Sequence, residues 1–174
     1  MEFRKSELDD IPGIMHIIEK AKLNLKDAGI DQWQNGYPNE AVIKEDITRG
    51  ESYVALLHGN LVGTVAITFG VEHHYDTIRD GEWMNQDGFY AVIHRIAVDQ
   101  DYKGKGIAGY LLSQAEVLGK DKIESIRIDT HEKNIPMQRA IKKQGFELCG
   151  KITLLDGTDR ITFEKWVDSK GKQR

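Results

Sequence analysis

The sequence predicts an α/β (α+β) fold in which the elements follow the order βααβββαβαββ, with helices flanking a mixed, mostly antiparallel sheet of about seven strands. Three observations lead to this fold. Short runs of branched and apolar residues alternate with stretches whose apolar residues recur at helical spacing. Residues typical of a tight turn divide one of these runs, and a glycine-rich turn precedes a predicted helix. The 174 residues suit a single domain over 1–174, with a polar tail after about residue 167.

The first half of the chain supplies one strand, two helices and a hairpin. Residues 2–5 are predicted as a short strand, and apolar residues then recur at helical spacing over 8–29. A shorter helix is predicted over 39–48. The apolar run 52–69 is interrupted at Gly59-Asn60, which supply the positive φ angles that a tight hairpin needs.

The second half begins with a polar, irregular stretch at 72–88, here named the excursion. Stretches of this kind inside a domain are more often functional than idle, and we expect a long surface loop. The later elements are predicted as a strand at 89–98, a helix at 106–119, a strand at 125–129, a helix at 134–145 and a closing hairpin at 146–167.

Composition limits the classes of partner and the cellular setting. The formal net charge is -4, and no basic stripe of the kind found in nucleic-acid binders dominates the chain. The chain contains no run of about 18 apolar residues, so no membrane span is predicted. Cys149 is the only cysteine, so an internal disulfide is excluded and a metal site would need other ligands. The adjacent His73 and His74 would point apart in an extended chain, so no metal site is expected. The first residues do not resemble a targeting peptide, and we expect a cytoplasmic location.

The strongest chemical signal is a glycine-rich segment after the strand that ends in Ile96-Ala97-Val98. This glycine turn reads Lys103-Gly104-Lys105-Gly106-Ile107-Ala108-Gly109. Small residues let backbone amides approach a bulky anion, and the first turn of a helix has unpaired N–H groups and a partial positive charge. Lys103 and Lys105 add positive charge, so the segment predicts a phosphate or pyrophosphate site.

The glycine turn also fits the dinucleotide-binding fingerprint, with Asp129 about 20 residues downstream. Three features argue against that interpretation. Five residues separate Val98 from Gly104, whereas the fingerprint turn follows its strand at once. Too few elements follow Asp129 to complete a doubly wound sheet, and the motif comes after a predicted antiparallel meander. A nucleotide-dependent oxidoreductase is therefore a distant alternative.

The segment from His94 to Leu112 resembles motif A of the GNAT N-acetyltransferases, whose signature is Arg/Gln-x-x-Gly-x-Gly/Ala. Lys103 takes the place of the usual Arg or Gln. Residues 134–146 resemble motif B through three matches, namely Asn134, Ala140 and Gly145-Phe146. The element order matches as well, so the resemblance covers nearly the whole chain and implies the GNAT fold.

The resemblance implies acetyl-CoA as cosubstrate. The strand Ile96-Ala97-Val98 would pair with the pantetheine arm, and the amides of the glycine turn would hold the pyrophosphate. Asn134 would bond the cosubstrate, or would serve only as a helix cap. Many family members place a general-acid tyrosine where this chain has Ile141.

Attack by an amine on a thioester requires a base, and four residues are candidates. His94 comes first, because some relatives carry a histidine there and its unperturbed pKa of about 6.5 suits proton transfer near neutrality. Asp129 and His131 follow, at a strand end near the expected acetyl group. Glu82 lies in the excursion and could reach the site. Each of these residues also has a plain structural interpretation, as a hydrogen-bonded or surface side chain.

The acceptor is predicted to be a small-molecule amine, since Trp33 and Tyr37 can surround a cation. They lie in the loop 31–38, here named the acceptor loop, where the family usually forms its acceptor pocket. The alternative is that both side chains cover an edge of the core. Other functions left open are acetylation of a protein or peptide and non-catalytic acyl-CoA sensing. We expect a homodimer that binds neither nucleic acid nor membranes.

Overall fold

The computed structural model describes residues 1–167, and the elements follow the predicted order. Four α-helices and seven strands succeed one another as βααβββαβαββ within that range. The helices are α1 Ile11–Asp27, α2 Glu40–Thr48, α3 Ile107–Gly119 and α4 Ile135–Lys143. The strands are β1 Glu2–Lys5, β2 Ser52–Leu57, β3 Asn60–Phe69, β4 Tyr90–Val98, β5 Ser125–Thr130, β6 Glu147–Thr153 and β7 Asp159–Trp166. The fold class is therefore confirmed, and the predicted polar tail lies outside the described residues.

The strands form a mixed sheet in the order β1-β2-β3-β4-β5-β7-β6. β1 with β2, β2 with β3, β5 with β7 and β6 with β7 are antiparallel, whereas β4 and β5 are parallel. The parallel pair has a simple cause. The chain between β4 and β5 crosses over through α3, and a crossover returns the second strand in the direction of the first.

Residues 1–67 and 94–111 form one compact unit. Its core contains one face of α1 together with residues of α2, β2 and β4. The buried residues are Ile14, Ile17, Ile18, Ile43, Val54 and Ala97. The three α1 isoleucines follow helical spacing and so share one face. At Gly63 an added Cβ would lie 2.9 Å from Leu111 Cδ1 and 3.1 Å from Ile107 Cγ2. Glycine at this position lets the start of α3 lie close against β3.

The turn of the β2–β3 hairpin lies one residue earlier than predicted. His58 and Gly59 have φ angles of 51° and 80°, and Asn60 already belongs to β3. Leu57 pairs with Asn60, so the register leaves two residues for the turn. The prediction found the hairpin but not its register, because register depends on cross-strand packing as well as on turn residues.

The second compact unit comprises residues 68–93 and the described residues from 112 onward. Its core includes Tyr75, Trp83, Val92 and Ile152. Tyr75 and Trp83 belong to the excursion, so the prediction of an exposed surface loop is wrong for this part of the chain. The excursion also pairs with an edge strand, because Arg79 and Lys151 exchange two backbone hydrogen bonds of 2.9 Å.

No helix in residues 1–167 is both long enough and apolar enough to cross a membrane. Within the same residues, no group of three or more histidine, cysteine, aspartate or glutamate side chains is arranged to hold a metal ion.

Candidate functional site

The glycine turn follows the end of β4 after a connection over residues 99–102, and local hydrogen bonds hold its entry. The backbone N–H of Asp99 donates to the carbonyl of Val62 on β3, at 2.8 Å. The Asp99 carboxylate accepts from the N–H of Asp101 at 3.0 Å and caps a 3-10 turn over Gln100–Tyr102. These bonds bring the chain from β4 to the start of α3 in a defined direction.

Gly104 and Gly106 have φ angles of 79° and 78°, which other residues rarely adopt. No heavy atom lies within 4 Å of the place where a Cβ would stand on either glycine, leaving open space beside the backbone. The amides of Lys103 and Lys105 donate to the carbonyls of Gln100 and Tyr102 in the preceding 3-10 turn, at 3.2 and 3.4 Å. A bound pyrophosphate would therefore be held by the two glycine amides and the first turn of α3, a donor set suited to phosphate oxygens.

Charge at the glycine turn comes from exposed lysines. Lys103 and Lys105 are both exposed, and the Lys105 ammonium lies 5.0 Å from the centre of the Tyr102 ring. Exposed ammonium groups attract an anion over distance but do not fix its position. The backbone therefore provides the shape of the site, and the lysines add a positive field.

β4 bends immediately before the segment predicted to bind the pantetheine arm. Arg95 has a φ of 49°, which places a non-glycine residue in the left-handed region in the middle of a strand. The parallel pairing of β4 with β5 ends two residues earlier, at Ile93 opposite Ile128. His94, the first candidate base, lies at this bend and is half-buried.

The Arg95 side chain joins three elements. Its Nε and one terminal nitrogen donate to the two carboxylate oxygens of Asp46 on α2, at 2.7 and 2.8 Å. The other terminal nitrogen donates to the hydroxyl of Tyr37, at 2.7 Å. Burial is the main influence on the pKa of Asp46 and raises it, while the Arg95 cation acts in the opposite direction. We name these three residues the Arg95 clamp.

The two residues predicted to bind the acceptor have different surroundings. Trp33 packs partly buried against the core formed by α1, α2 and β2. The Tyr37 side chain is 40% exposed, and its hydroxyl is held by Arg95. Trp33 thus contacts the core and Tyr37 is accessible to a ligand, and the predicted contact of both side chains with an acceptor stays a prediction.

In the second unit, the residues before α4 form a capped helix start. The Asn134 side chain accepts a hydrogen bond of 3.3 Å from the N–H of Met137, as an N-cap does. The Nδ1 atom of His131 accepts from the N–H of Lys133 at 3.1 Å, so a neutral ring carries its proton on Nε2. Both side chains therefore have local structural roles, and their predicted roles in binding and catalysis stay predictions.

Asp129, at the end of β5, has a positioned partner. The Tyr75 hydroxyl donates to Oδ2 of Asp129 at 2.8 Å, and the Tyr75 side chain is buried. Burial raises the pKa of Asp129, although the hydrogen bond from Tyr75 acts in the opposite direction. A carboxyl group with a raised pKa and an oriented partner has the properties of a general base. Glu82, by contrast, is exposed on the excursion.

A buried ion pair holds the excursion over β5 and β7. Arg127 and Glu164 lie directly opposite each other, with Nε 3.0 Å from Oε1. The other oxygen of Glu164 accepts from the backbone N–H of Met84 at 2.7 Å and that of Asn85 at 3.2 Å. The Arg127 guanidinium lies 4.2 Å from the Trp83 ring centre and 3.8 Å from that of Tyr90. These contacts hold residues 83–85 of the excursion, and the Trp83 Nε1–H donates in turn to the carbonyl of Tyr75 at 2.8 Å.

Comparison with known proteins identifies the family. The sequence matches the model of the acetyltransferase (GNAT) family over residues 18–146. This chain belongs to the GNAT acetyltransferases. The structure is similar to that of a GNAT-family acetyltransferase from Streptococcus agalactiae, with a TM-score of 0.88 and 36% identity over 97% of this chain and 96% of that chain.

More distant solved structures share the fold. A GNAT phosphinothricin acetyltransferase from Sinorhizobium meliloti, solved with acetyl-CoA, has a TM-score of 0.68 and 16% identity over 99% of this chain and 91% of that chain. A ribosomal-protein-alanine N-acetyltransferase from Brucella melitensis has a TM-score of 0.67 and 18% identity over 95% and 99%. No curated protein matches the sequence significantly.

Ile141 occupies the position in motif B where GNAT acetyltransferases often have a tyrosine. Ile141 is fully buried, so this position has neither a proton donor nor access to a ligand. The only cysteine does not replace it as a reactive group. Burial, and then the charge of Glu164, raise the pKa of Cys149 to about 11, which keeps the thiol protonated at neutral pH.

Sequence reasoning missed the Arg95 clamp and the residues that hold the excursion. One signal was available in this GNAT chain, because charged residues alternate with apolar ones along two strands, at Arg127 and Asp129 and at Arg160 and Glu164. A strand face with buried charge needs a polar cover. The excursion provides that cover, but the pattern does not say which segment would do so.

Proposed function

We propose that this GNAT chain transfers the acetyl group of acetyl-CoA to a primary amine of a small molecule by direct attack. One observation carries the proposal. In a GNAT acetyltransferase, Gly104 and Gly106 leave the backbone open beside the first turn of α3, where the donors suit a pyrophosphate. The accessible Tyr37 ring in the acceptor loop supports an amine acceptor, because an aromatic face attracts a cation.

The chemistry requires a neutral amine nitrogen that attacks the thioester carbonyl. The nitrogen loses a proton to a base, the carbon–sulfur bond breaks, and the thiolate departs. A thiol has an ordinary pKa of about 8.5, so the thiolate can leave without a dedicated acid. This suits a chain in which Ile141 cannot donate a proton. The pantetheine arm would lie along Ile96-Ala97-Val98, with Asn134 as a further contact.

For the base we propose His94 first and Asp129 second. His94 lies at the bend of β4, two residues before the segment of that strand predicted to hold the pantetheine arm. Asp129 is supported by its raised pKa and by the hydrogen bond from Tyr75. His131 and Glu82 rank below them, because His131 bonds within its own turn and Glu82 is exposed.

The test begins with acetyl-CoA binding by calorimetry, followed by amine-dependent thiol release. The panel contains spermidine, kanamycin, tyramine and a short peptide with a free N-terminus, and a reaction without amine measures hydrolysis. Thiol release with a small amine supports the proposal. If only the peptide is acetylated, the acceptor is a peptide and not a small molecule. Binding without release of thiol from any acceptor favours acyl-CoA sensing. Lack of binding would show that the glycine turn does not hold acetyl-CoA.

The base is tested with His94→Ala and Asp129→Asn. Replacing the true base should lower kcat by about 10²–10⁴-fold and change acetyl-CoA affinity little. His16→Ala is the matched control, because His16 is exposed on α1. If neither variant lowers kcat more than the control does, proton transfer from the amine uses solvent or another group.

We also propose a cytoplasmic homodimer that binds neither nucleic acid nor membranes. Light scattering of the purified chain measures its mass, and a monomeric mass would contradict the dimer.

A further inference from the structure

We propose that Arg95 is a positioning residue that holds the acceptor loop against β4, with Tyr37 as the point of attachment. The proposal rests on the proposed function, because it treats residues 31–38 as the border of the acceptor site. It goes beyond that function by assigning roles to Arg95 and Asp46.

The geometry of the guanidinium supports this role. Arg95 makes a bidentate contact with the Asp46 carboxylate and a third hydrogen bond to the Tyr37 hydroxyl, and all three distances are 2.7–2.8 Å. The two side chains of the ion pair are almost buried, with exposed fractions of 13% for Arg95 and 8% for Asp46. Charge-assisted hydrogen bonds of this length are among the stronger polar contacts in proteins.

The backbone of Arg95 is as unusual as its side chain. A φ of 49° in the middle of a strand persists only where surrounding contacts hold it. Asp46 and Tyr37 supply such contacts, and the bent residue lies directly before Ile96. The clamp therefore joins the strand predicted to hold the pantetheine arm to the loop predicted to hold the acceptor.

The clamp also determines what Tyr37 can offer to a ligand. A phenol has one O–H donor, and its oxygen here accepts from Arg95. The O–H proton therefore points away from the guanidinium, on a side chain that is 40% exposed. An acceptor substrate that uses this group needs an atom that accepts a hydrogen bond, such as a hydroxyl or carbonyl oxygen near its amine.

Other attachments of the acceptor loop separate the clamp from general folding. Trp33 packs on the core, and the Gln34 side chain donates to the carbonyl of Lys22 at 2.9 Å. Loss of the Tyr37 hydroxyl should therefore leave the loop folded and the Arg95–Asp46 pair intact. Only the end of the loop near Tyr37 would become more mobile.

Hydrogen exchange measured by mass spectrometry tests the clamp without requiring a known acceptor. Tyr37→Phe and Arg95→Lys should each speed exchange at the Tyr37 end of the acceptor loop, residues 35–37, by about tenfold, the effect of losing a hydrogen bond to a charged group. Lysine keeps the charge but cannot reach both partners. Exchange at 103–109 should not change. Tyr53→Phe is the control, because Tyr53 stacks on Phe3 and belongs to neither the clamp nor the loop.

Kinetics supply the second measurement, with the panel amine that reacts fastest. Tyr37→Phe and Arg95→Lys should raise the KM for that amine by about tenfold and leave the Kd for acetyl-CoA within about twofold. Unchanged exchange at 35–37 would overturn the proposal, as would a loss confined to acetyl-CoA binding. If the wild-type chain acetylates no amine, the proposed function fails, and the exchange rates still decide whether the clamp holds the loop.

Discussion

The glycine turn and the excursion are both polar segments between apolar elements, but they are held in opposite ways. Gly104 and Gly106 adopt positive φ angles that glycine reaches without help from other residues. Hydrogen bonds between residues close in sequence hold the entry to the turn. The excursion depends on Arg127 and Glu164, which come from strands far along the chain. A site made of backbone can be predicted from a short motif, whereas a segment held by distant side chains cannot.

The largest expected effect tests the excursion. Glu164→Gln leaves Arg127 as a buried charge without its anion, so the free energy of unfolding should fall by about 3–5 kcal/mol in urea titrations. Glu116→Gln is the control, because Glu116 pairs with Lys165 at 2.8 Å in a half-exposed position. The control should cost about 1 kcal/mol or less. Equal losses in the two variants would mean that the buried pair does not hold the excursion.

The reactivity of Cys149 sharpens the same comparison. At Gly81 of the excursion, an added Cβ would lie 1.8 Å from the Cys149 carbonyl oxygen, so the two segments are in contact. With the thiol pKa raised by burial to about 11, the thiolate fraction at pH 8 falls about a hundredfold. Alkylation by iodoacetamide should be slower in the native protein than in urea by about that factor, and should accelerate with pH until about 11. Equal rates at pH 8 would contradict the burial of the Cys149 thiol.

The glycine turn is tested by a pair of matched substitutions. Gly104→Ala and Gly59→Ala should each cost about 1–2 kcal/mol of stability, because both glycines have a φ near 80° and open space at Cβ. Only Gly104→Ala should weaken acetyl-CoA binding, by about tenfold in calorimetry, because the amide donors then move. If Gly59→Ala weakens binding as much, the turn does not hold the pyrophosphate.

The smallest expected effect separates the two interpretations of Asn134. Asn134 and Asn39 cap their helices in the same way, accepting from amides at 3.3 and 3.1 Å. Replacing either with alanine should cost about 1 kcal/mol of stability. If Asn134 also contacts acetyl-CoA, only Asn134→Ala should reduce affinity, by about fivefold. Equal affinities in the two variants would leave Asn134 as a cap alone.

Much of the fold could be predicted because its signals are local. The α1 isoleucines repeat at helical spacing, Asn39 and Asn134 cap the helices that follow them, and the glycine turn follows a buried strand. The hairpin register at His58-Gly59 and the burial of Tyr75 were not predicted correctly. Both depend on which distant side chains a segment meets, and local residue preference carries no such information.

The sequence by itself determined the element order, the fold class and the glycine turn with its open backbone donors. Only the tertiary structure decided that Arg95 binds Asp46 and Tyr37, which are 49 and 58 residues away, and that Glu164 holds Met84 across 80 residues. The physical reason is that periodicity, capping and glycine conformations act within a few residues. Ion pairs and buried hydrogen bonds instead join whichever groups the completed fold brings together.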